Sequence, residues 1–296
     1  MDKRISITDL KAMKRRGEKI VMITAYDYPS ARLVEEAGVP LILVGDSLGN
    51  VVLGYDSTIP VTMDEMLHHV KPVVRATRKT HVVADMPFMS YQTGPADALR
   101  NAGRMLKEGG AQSVKLEGGG ETSVARARAI VNAGIPVMGH VGLTPQTATA
   151  LGGYKAQGRT AEAAARVARE ALALQEAGCF SIVFEAIPTA VAEAIMPQME
   201  AVVIGIGAGP ATDGQVLVFH DLLGIREGLG ARFVKRYASL QEEMDAGVAA
   251  FAEDVRERRY PAEEHTYSIP DEELEAFRTT AELEGRLGSW EALEGF

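Results

Sequence analysis

The stretch HVVADMPFMSYQTGPADALRNAGRMLKEGGAQSVKLEG, residues 81–118, decides the fold. It opens on a short apolar run, His81–Ala84, that closes on an acid, Asp85. A loop leads into Pro95–Lys107, whose Ala, Leu, Arg and Met content and apolar spacing predict an amphipathic helix. Gly109 marks the expected stop, and a second apolar run, Gln112–Lys115, comes at once and ends in Leu116-Glu117. Two continuous apolar strands joined by a helix suit a parallel sheet buried on both faces.

The same unit recurs in both directions. Further apolar runs are Ile20–Thr24, Leu41–Val44, Ile135–Met138, Phe180–Phe184, Val202–Ile204 and Val216–Phe219. Helical stretches are expected at Pro29–Ala37, Met63–Thr77, Glu121–Asn132 and Thr160–Glu176, and Gly38, Gly134 and Gly178 punctuate their ends. Eight β/α units in one chain predict an α/β fold of the closed (β/α)8 TIM barrel type, not an open doubly wound sheet. A length of 296 residues at 46% hydrophobic suits one barrel-sized domain. The barrel, with a leading helix, is expected to span 1–265. An acidic C-terminal extension over 266–296, helical or disordered, holds the only tryptophan, Trp290.

The net charge of −9 comes from interspersed acids and bases. No basic stripe could track a phosphate backbone, which argues against nucleic acid as a partner. One cysteine, Cys179, leaves no intrachain disulfide and fits a reducing cytosol. Met1–Arg16 lacks the apolar centre of a signal peptide, and no run approaches the roughly 20 apolar residues of a membrane span. A cytoplasmic location away from membranes is the expectation.

The functional signal lies in the residues at the end of each strand. The runs end in Thr24-Ala25-Tyr26-Asp27, Gly45-Asp46-Ser47, Asp85, Lys115-Leu116-Glu117, Gly139-His140, Glu185, the glycine run 205–209, and His220-Asp221. Acids and glycines at strand ends often only cap the next helix. In a barrel, however, these positions converge on the C-terminal face, where barrel active sites lie. Asp46, Asp85 and Glu117 come from neighbouring strands, and such hard oxygen donors suit Mg2+, which takes one or two carboxylates and keeps waters. A 2-oxo acid could chelate that ion, which would stabilise the enolate left by loss of a neighbouring proton. Lys115 points the same way as Glu117 and could bind a substrate carboxylate or an oxyanion, or simply pair with Glu117. Glu185, across the barrel from the metal carboxylates, is the candidate base; His140 is the alternative base, a donor to substrate, or a structural histidine. The run Gly205-Ile206-Gly207-Ala208-Gly209 superficially resembles a dinucleotide loop, but Pro210 comes next and no helix opens there. It reads as a close backbone approach.

These stretches together resemble the ketopantoate (3-methyl-2-oxobutanoate) hydroxymethyltransferase family. The resemblance rests on Thr24–Asp27, Val44–Gly49, Asp56–Thr58 with Pro60–Thr62, Ala84–Phe88, Val114–Gly119, Gly139–Gln146, Gly152–Lys155, Glu185–Pro188, Gly205–Gly209, Thr212–Gln215 and Tyr260–His265. They occur in order from about Ile5 to His265. The resemblance implies a barrel of the phosphoenolpyruvate/pyruvate-utilising type. It implies transfer of a hydroxymethyl group from 5,10-methylenetetrahydrofolate to 3-methyl-2-oxobutanoate, giving 2-dehydropantoate, the first committed step toward pantothenate and coenzyme A. It further implies Mg2+ on Asp46 and Asp85 with Glu117 nearby, the oxo acid on Ser47, Asp85 and Lys115, and Glu185 as proton acceptor. A cytoplasmic homo-oligomer, commonly a decamer, belongs to the same expectation. Two features depart from the family pattern: Glu121-Thr122-Ser123 after a triple glycine, where more bulk is expected, and the extension past His265. A lyase of the same superfamily would usually carry a cysteine on a lid loop, whereas Cys179 begins a strand. A non-catalytic oxo-acid binder would have no need of Glu185.

Overall fold

The computed structural model describes residues 3–226 and 230–279. Eight parallel strands close into a barrel in sequence order: β1 (Ile20–Thr24), β2 (Leu41–Val44), β3 (His81–Asp85), β4 (Ser113–Lys115), β5 (Val137–Gly142), β6 (Ser181–Glu185), β7 (Val202–Ile206) and β8 (Gly214–Leu217). The (β/α)8 expectation holds, with instructive departures. Helices α1 (Ile7–Arg15), α2 (Tyr28–Glu36), a short α3 (Leu48–Val51), α4 (Met63–Ala76), α5 (Pro95–Lys107), α6 (Glu121–Asn132), α7 (Ala161–Glu176) and α8 (Thr189–Ile195) occupy the first six connections or precede them. The unusual start at Glu121 is a helix start after all, with Gly120 before it. Gly119 is glycine because a side chain there would run into the Glu170 backbone of α7.

No helix joins β7 to β8. Gly214 pairs with both Ile204 and Ile20, so β8 starts high beside β7 and the loop over 207–213 need step back only a short way. That stagger removes the long crossover that parallel strands otherwise require. Several expected boundaries also move, three of them for a visible reason. β5 starts at Val137, because Pro136 has no N–H and contributes only its carbonyl, to Val114 N. β8 ends at Leu217, and Phe219 opens α9 (Phe219–Leu223). The left-handed stop after α5 is Gly110, at φ +79°; Gly109 instead lets α5 approach Val70 of α4.

Period-two alternation sends His81, Val83 and Asp85 of β3 inward. The lower barrel interior is filled by Met22, Leu41, Val83, Met138, Val183 and Ile204, and Leu10 of α1 packs beneath them. Lys14 of α1 donates to the Met199 and Ala201 carbonyls and to Asp213 Oδ2 at 2.7–2.8 Å, which seats α1 across the N-terminal end. A larger apolar cluster, including Ile42, Val82, Ala84, Val114 and Ile182, joins the outward strand faces to the helices. Site residues therefore stand at one end of a packed plug, not around a pore.

The chain divides into two compact units, Met1–Leu240 and Gln241–Phe296. The second holds almost all of α10 (Leu240–Arg256) and all of α11 (Asp271–Thr279). On α10, Met244, Val248, Phe251 and Val255 are exposed at helical spacing, and none of its residues is buried. Trp290 lies outside the described residues. No helix among the described residues is long and apolar enough to cross a membrane.

His81 gives the N-terminal end a pH dependence. Its ring is buried, with Nδ1 3.1 Å from the Ile5 carbonyl and Nε2 2.9 Å from Ser113 Oγ. Burial pushes the imidazole down to about 4, against the pull of the Ile5 carbonyl. The unfolded value is about 6.5. The depressed folded value means that stability is full above pH 6.5 and is lost as pH falls from there toward 4. At pH 5 the loss from this group is about 2 kcal/mol. Urea unfolding of the wild type should show that extra loss between pH 7.5 and 5 relative to His81→Asn; equal losses would remove His81 as the cause.

Candidate active site

Five neighbouring strands each deliver a charged residue to the C-terminal face. Asp85 and Lys115 are direct register partners on β3 and β4, and Lys115 Nζ donates to Asp85 Oδ1 at 2.5 Å. Asp46, just past β2, donates its backbone N–H to Asp85 Oδ2 at 3.0 Å. Lys115 Nζ also stands 3.9 Å from Glu117 Oε1. His140 of β5 lies between two acids, with Nδ1 3.4 Å from Glu117 Oε1 and Nε2 3.1 Å from Glu185 Oε2 on β6. Neither His140 contact has the in-line geometry of a strong hydrogen bond. The sequence-selected residues thus form one continuous ionic path from Asp46 to Glu185. Asp46, Asp85, Lys115, Glu117 and His140 are all buried, while the Glu185 side chain is 15% exposed.

Electrostatics differ along the path. Burial pushes the Asp46 carboxyl well above the usual range, and the nearby Asp85 and Glu117 charges add to it. Burial also raises Asp85, with Lys115 pulling the other way. Burial acts likewise on Glu117, but His140, Lys115 and the Gln146 N–H outweigh it and hold that carboxyl low. Burial lowers the His140 imidazole, yet Glu117 and Glu185 overcome it and hold it up at about 9. A ring that is already cationic at neutral pH cannot accept a proton, which weighs against His140 as the base.

The structure adds residues with no role legible in the sequence. Gln146, buried in the turn after β5, donates Nε2 to Asp46 Oδ2 at 2.8 Å and to the Met86 carbonyl at 3.0 Å. Its backbone N–H reaches Glu117 Oε2 at 3.0 Å, and its Oε1 accepts from the Tyr91 hydroxyl at 2.7 Å. One residue therefore braces two of the carboxylates, Asp46 through its side chain and Glu117 through its backbone. The Tyr26 hydroxyl lies 2.8 Å from Ser47 Oγ. The only signal for these was a polar residue in a loop directly after a strand end. At β8, Asp221 sits on the first turn of α9 and faces the cavity, 3.4 Å from Arg226, whereas His220 packs on Tyr26 and Phe219. In the glycine run, Gly207 at φ +68° gives room to the Phe233 ring and Gly209 at φ +81° to Thr189, in keeping with a close approach.

All six path residues and Ser47 line one cavity of about 1020 Å³. Among the described residues, no three Asp, Glu, His or Cys side chains form a ready-made metal cage. The donor set nevertheless suits Mg2+, which uses few direct carboxylates. Four carboxylates meet two cations along the path, and the excess of two negative charges is what a divalent cation offsets. Asp46, raised chiefly by burial and further by the Asp85 and Glu117 charges, sits where that excess gathers.

Known proteins bear on this geometry. The sequence profile of ketopantoate hydroxymethyltransferase matches residues 4–263. A protein of Carboxydothermus hydrogenoformans called 3-methyl-2-oxobutanoate hydroxymethyltransferase is 56% identical over 272 residues, covering 92% of this chain and 98% of its own. The protein of the same name from Moorella thermoacetica is 55% identical over 264 residues, covering 89% and 98%. Among solved structures, phosphonopyruvate hydrolase in complex with oxalate and Mg2+ superposes with a TM-score of 0.57 at 15% identity, over 95% of this chain and 98% of its own. A 2,3-dimethylmalate lyase of the PEP mutase/isocitrate lyase superfamily gives 0.56 at 17% identity, over 93% and 99%. At such identities the two structures speak for the barrel alone.

Proposed function

The chain belongs to the ketopantoate hydroxymethyltransferase family, and from that membership we propose that it transfers a hydroxymethyl group from 5,10-methylenetetrahydrofolate to 3-methyl-2-oxobutanoate, forming 2-dehydropantoate on the way to pantothenate. The observation that carries this reading is the unbroken path from Asp46 to Glu185 at the barrel mouth, inside the matched region. Asp46 and Asp85 would hold Mg2+, with Glu117 beside them. When bound, the ion supplies Lewis acidity that makes the hydrogen next to the keto group easier to remove.

The protein's own residues do the rest. Glu185 is the path carboxylate with the most exposed side chain, and it stands on the strand opposite β2. His140 stands 3.1 Å from one of its oxygens, Oε2, and the other takes the proton from the substrate carbon. Ser47, steadied by Tyr26, offers a hydroxyl to the oxo acid. Lys115 balances Asp85 and keeps the neighbouring acids from repelling one another. Incubation with both substrates and Mg2+, then mass detection of 2-dehydropantoate, tests the proposal. Absence of product at any Mg2+ concentration would overturn it.

Gln146 enters this reading as a positioning residue. Gln146→Ala removes the Nε2 donor from Asp46 and takes from the Tyr91 hydroxyl its closer acceptor, leaving it the Glu117 carbonyl at 3.3 Å. Loss of such an outer support typically weakens metal binding about 10–100-fold. Mg2+ titration by calorimetry should show that loss while the far-ultraviolet dichroism stays native; undiminished affinity would make Gln146 a packing residue only.

A further inference from the structure

The cavity is far larger than a small oxo acid needs. At about 1020 Å³ it reaches the upper end of pockets that enclose drug-sized ligands, roughly 300–1000 Å³. Its composition is graded. The deep end is the ionic path, and the walls include Leu43, Val183, Ile206 and Val216. The rim carries Lys155 from the loop after β5, and Arg226, Arg232 and Phe233 from the segment after α9.

That rim carries three cations, Lys155, Arg226 and Arg232, against two acids, Asp56 and Asp221, in a chain whose net charge is −9. Arg226, Arg232, Lys235 and Arg236 fall within one short segment. Arg226 has Asp221 at 3.4 Å, and Lys235 lies over the Tyr237 ring at 4.7 Å. Arg232 and Lys155 have no carboxylate partner among the described residues, and both are exposed. Phe233 lies against the Gly207 backbone, and it is half-buried. A flat aromatic ring beside cations that have no carboxylate partner among the described residues is a surface for a ligand that is aromatic at one end and carries several carboxylates at the other.

We propose that Arg232 and Lys155 receive the carboxylates of the glutamyl tail of the folate donor, with Phe233 packing on the flat part of that molecule as it enters the cavity. This rests on the proposed transferase function. It predicts that a longer glutamyl tail binds more tightly, because each added residue brings another carboxylate to the rim.

The test uses the full-length protein with Mg2+ and two probes, tetrahydrofolate with one glutamate and with three, titrated by calorimetry without the oxo acid. Wild type should favour the triglutamate, and Arg232→Gln combined with Lys155→Gln should reduce that preference about tenfold. Raising the salt concentration should shrink it in wild type as well. Equal binding of both probes by wild type, or an unchanged preference in the double variant, would overturn the rim assignment. Exchange of the oxo-acid C3 proton by wild type without folate reports the transferase reading separately. If exchange occurs but the tail preference is missing, only this inference falls. If wild type neither exchanges that proton nor binds either probe, both fall.

Discussion

Glu185→Gln is expected to slow exchange of the C3 proton of 3-methyl-2-oxobutanoate by about 10²–10⁴-fold while leaving Mg2+-dependent binding of the oxo acid in place. The substitution keeps the shape of the side chain and removes its basicity. The carbon is tertiary and hindered, so the accepting group has to come close to it. Glu185 lines the cavity and is partly exposed, in contrast to the buried Asp46, Asp85 and Glu117. Proton NMR of the substrate in deuterated buffer, with no folate present, reads this step before any transfer. The same measurement on His140→Asn separates the two candidates. His140 is held up at about 9 and has no lone pair to offer at neutral pH. Its removal should disturb Glu117 and Glu185 together and slow exchange less than Glu185→Gln does. Normal exchange in Glu185→Gln with slow exchange in His140→Asn would assign the base to the histidine.

The second large effect concerns the acids at β2 and β3. Asp46→Asn and Asp85→Asn should each abolish Mg2+-dependent binding of the oxo acid by calorimetry. The two variants should part company in stability. Asp46→Asn removes a buried carboxyl that Asp85 and Glu117 repel, and its amide oxygen can still accept from Gln146. Without Mg2+ it should gain about 1 kcal/mol, and its thermal midpoint should rise by a few degrees. Asp85→Asn strips Lys115 of its closest partner, leaves a buried cation underpaired, and should lower the midpoint. Added Mg2+ should raise the wild-type midpoint through binding to the folded state and should move neither variant. An undiminished Mg2+ response in both would exclude these acids as the metal site.

The sequence disclosed the barrel because buried parallel strands must be apolar without interruption, and such runs stand out between helices. It disclosed Asp46, Asp85, Lys115, Glu117, His140 and Glu185 because a charge at the end of an apolar strand has one place to go once the sheet closes. It did not disclose Gln146, whose partners sit just past β2, just past β4 and in the loop after β3. Partner choice across a barrel depends on closure, which no local spacing encodes. The missing helix between β7 and β8 was hidden for a related reason: it arises from strand stagger, and register leaves no mark on composition. Phe233 escaped notice because its meaning comes from Gly207, which lies far from it in sequence and beside it in space.

The path of alternating charges also restricts how this chain can change over generations. Lys115 is wedged among Asp85, Glu117 and Asp46, so a lone drift from lysine to a neutral residue leaves like charges facing one another in a dry setting. A lone drift at Asp85 strands the cation instead. Each first step is harmful, while the paired step, Lys115→Met with Asp85→Asn, sheds opposite charges together and should cost less than the two separate steps added. Such reciprocal dependence makes the group behave as a single heritable block, in which divergence proceeds by joint replacement or not at all.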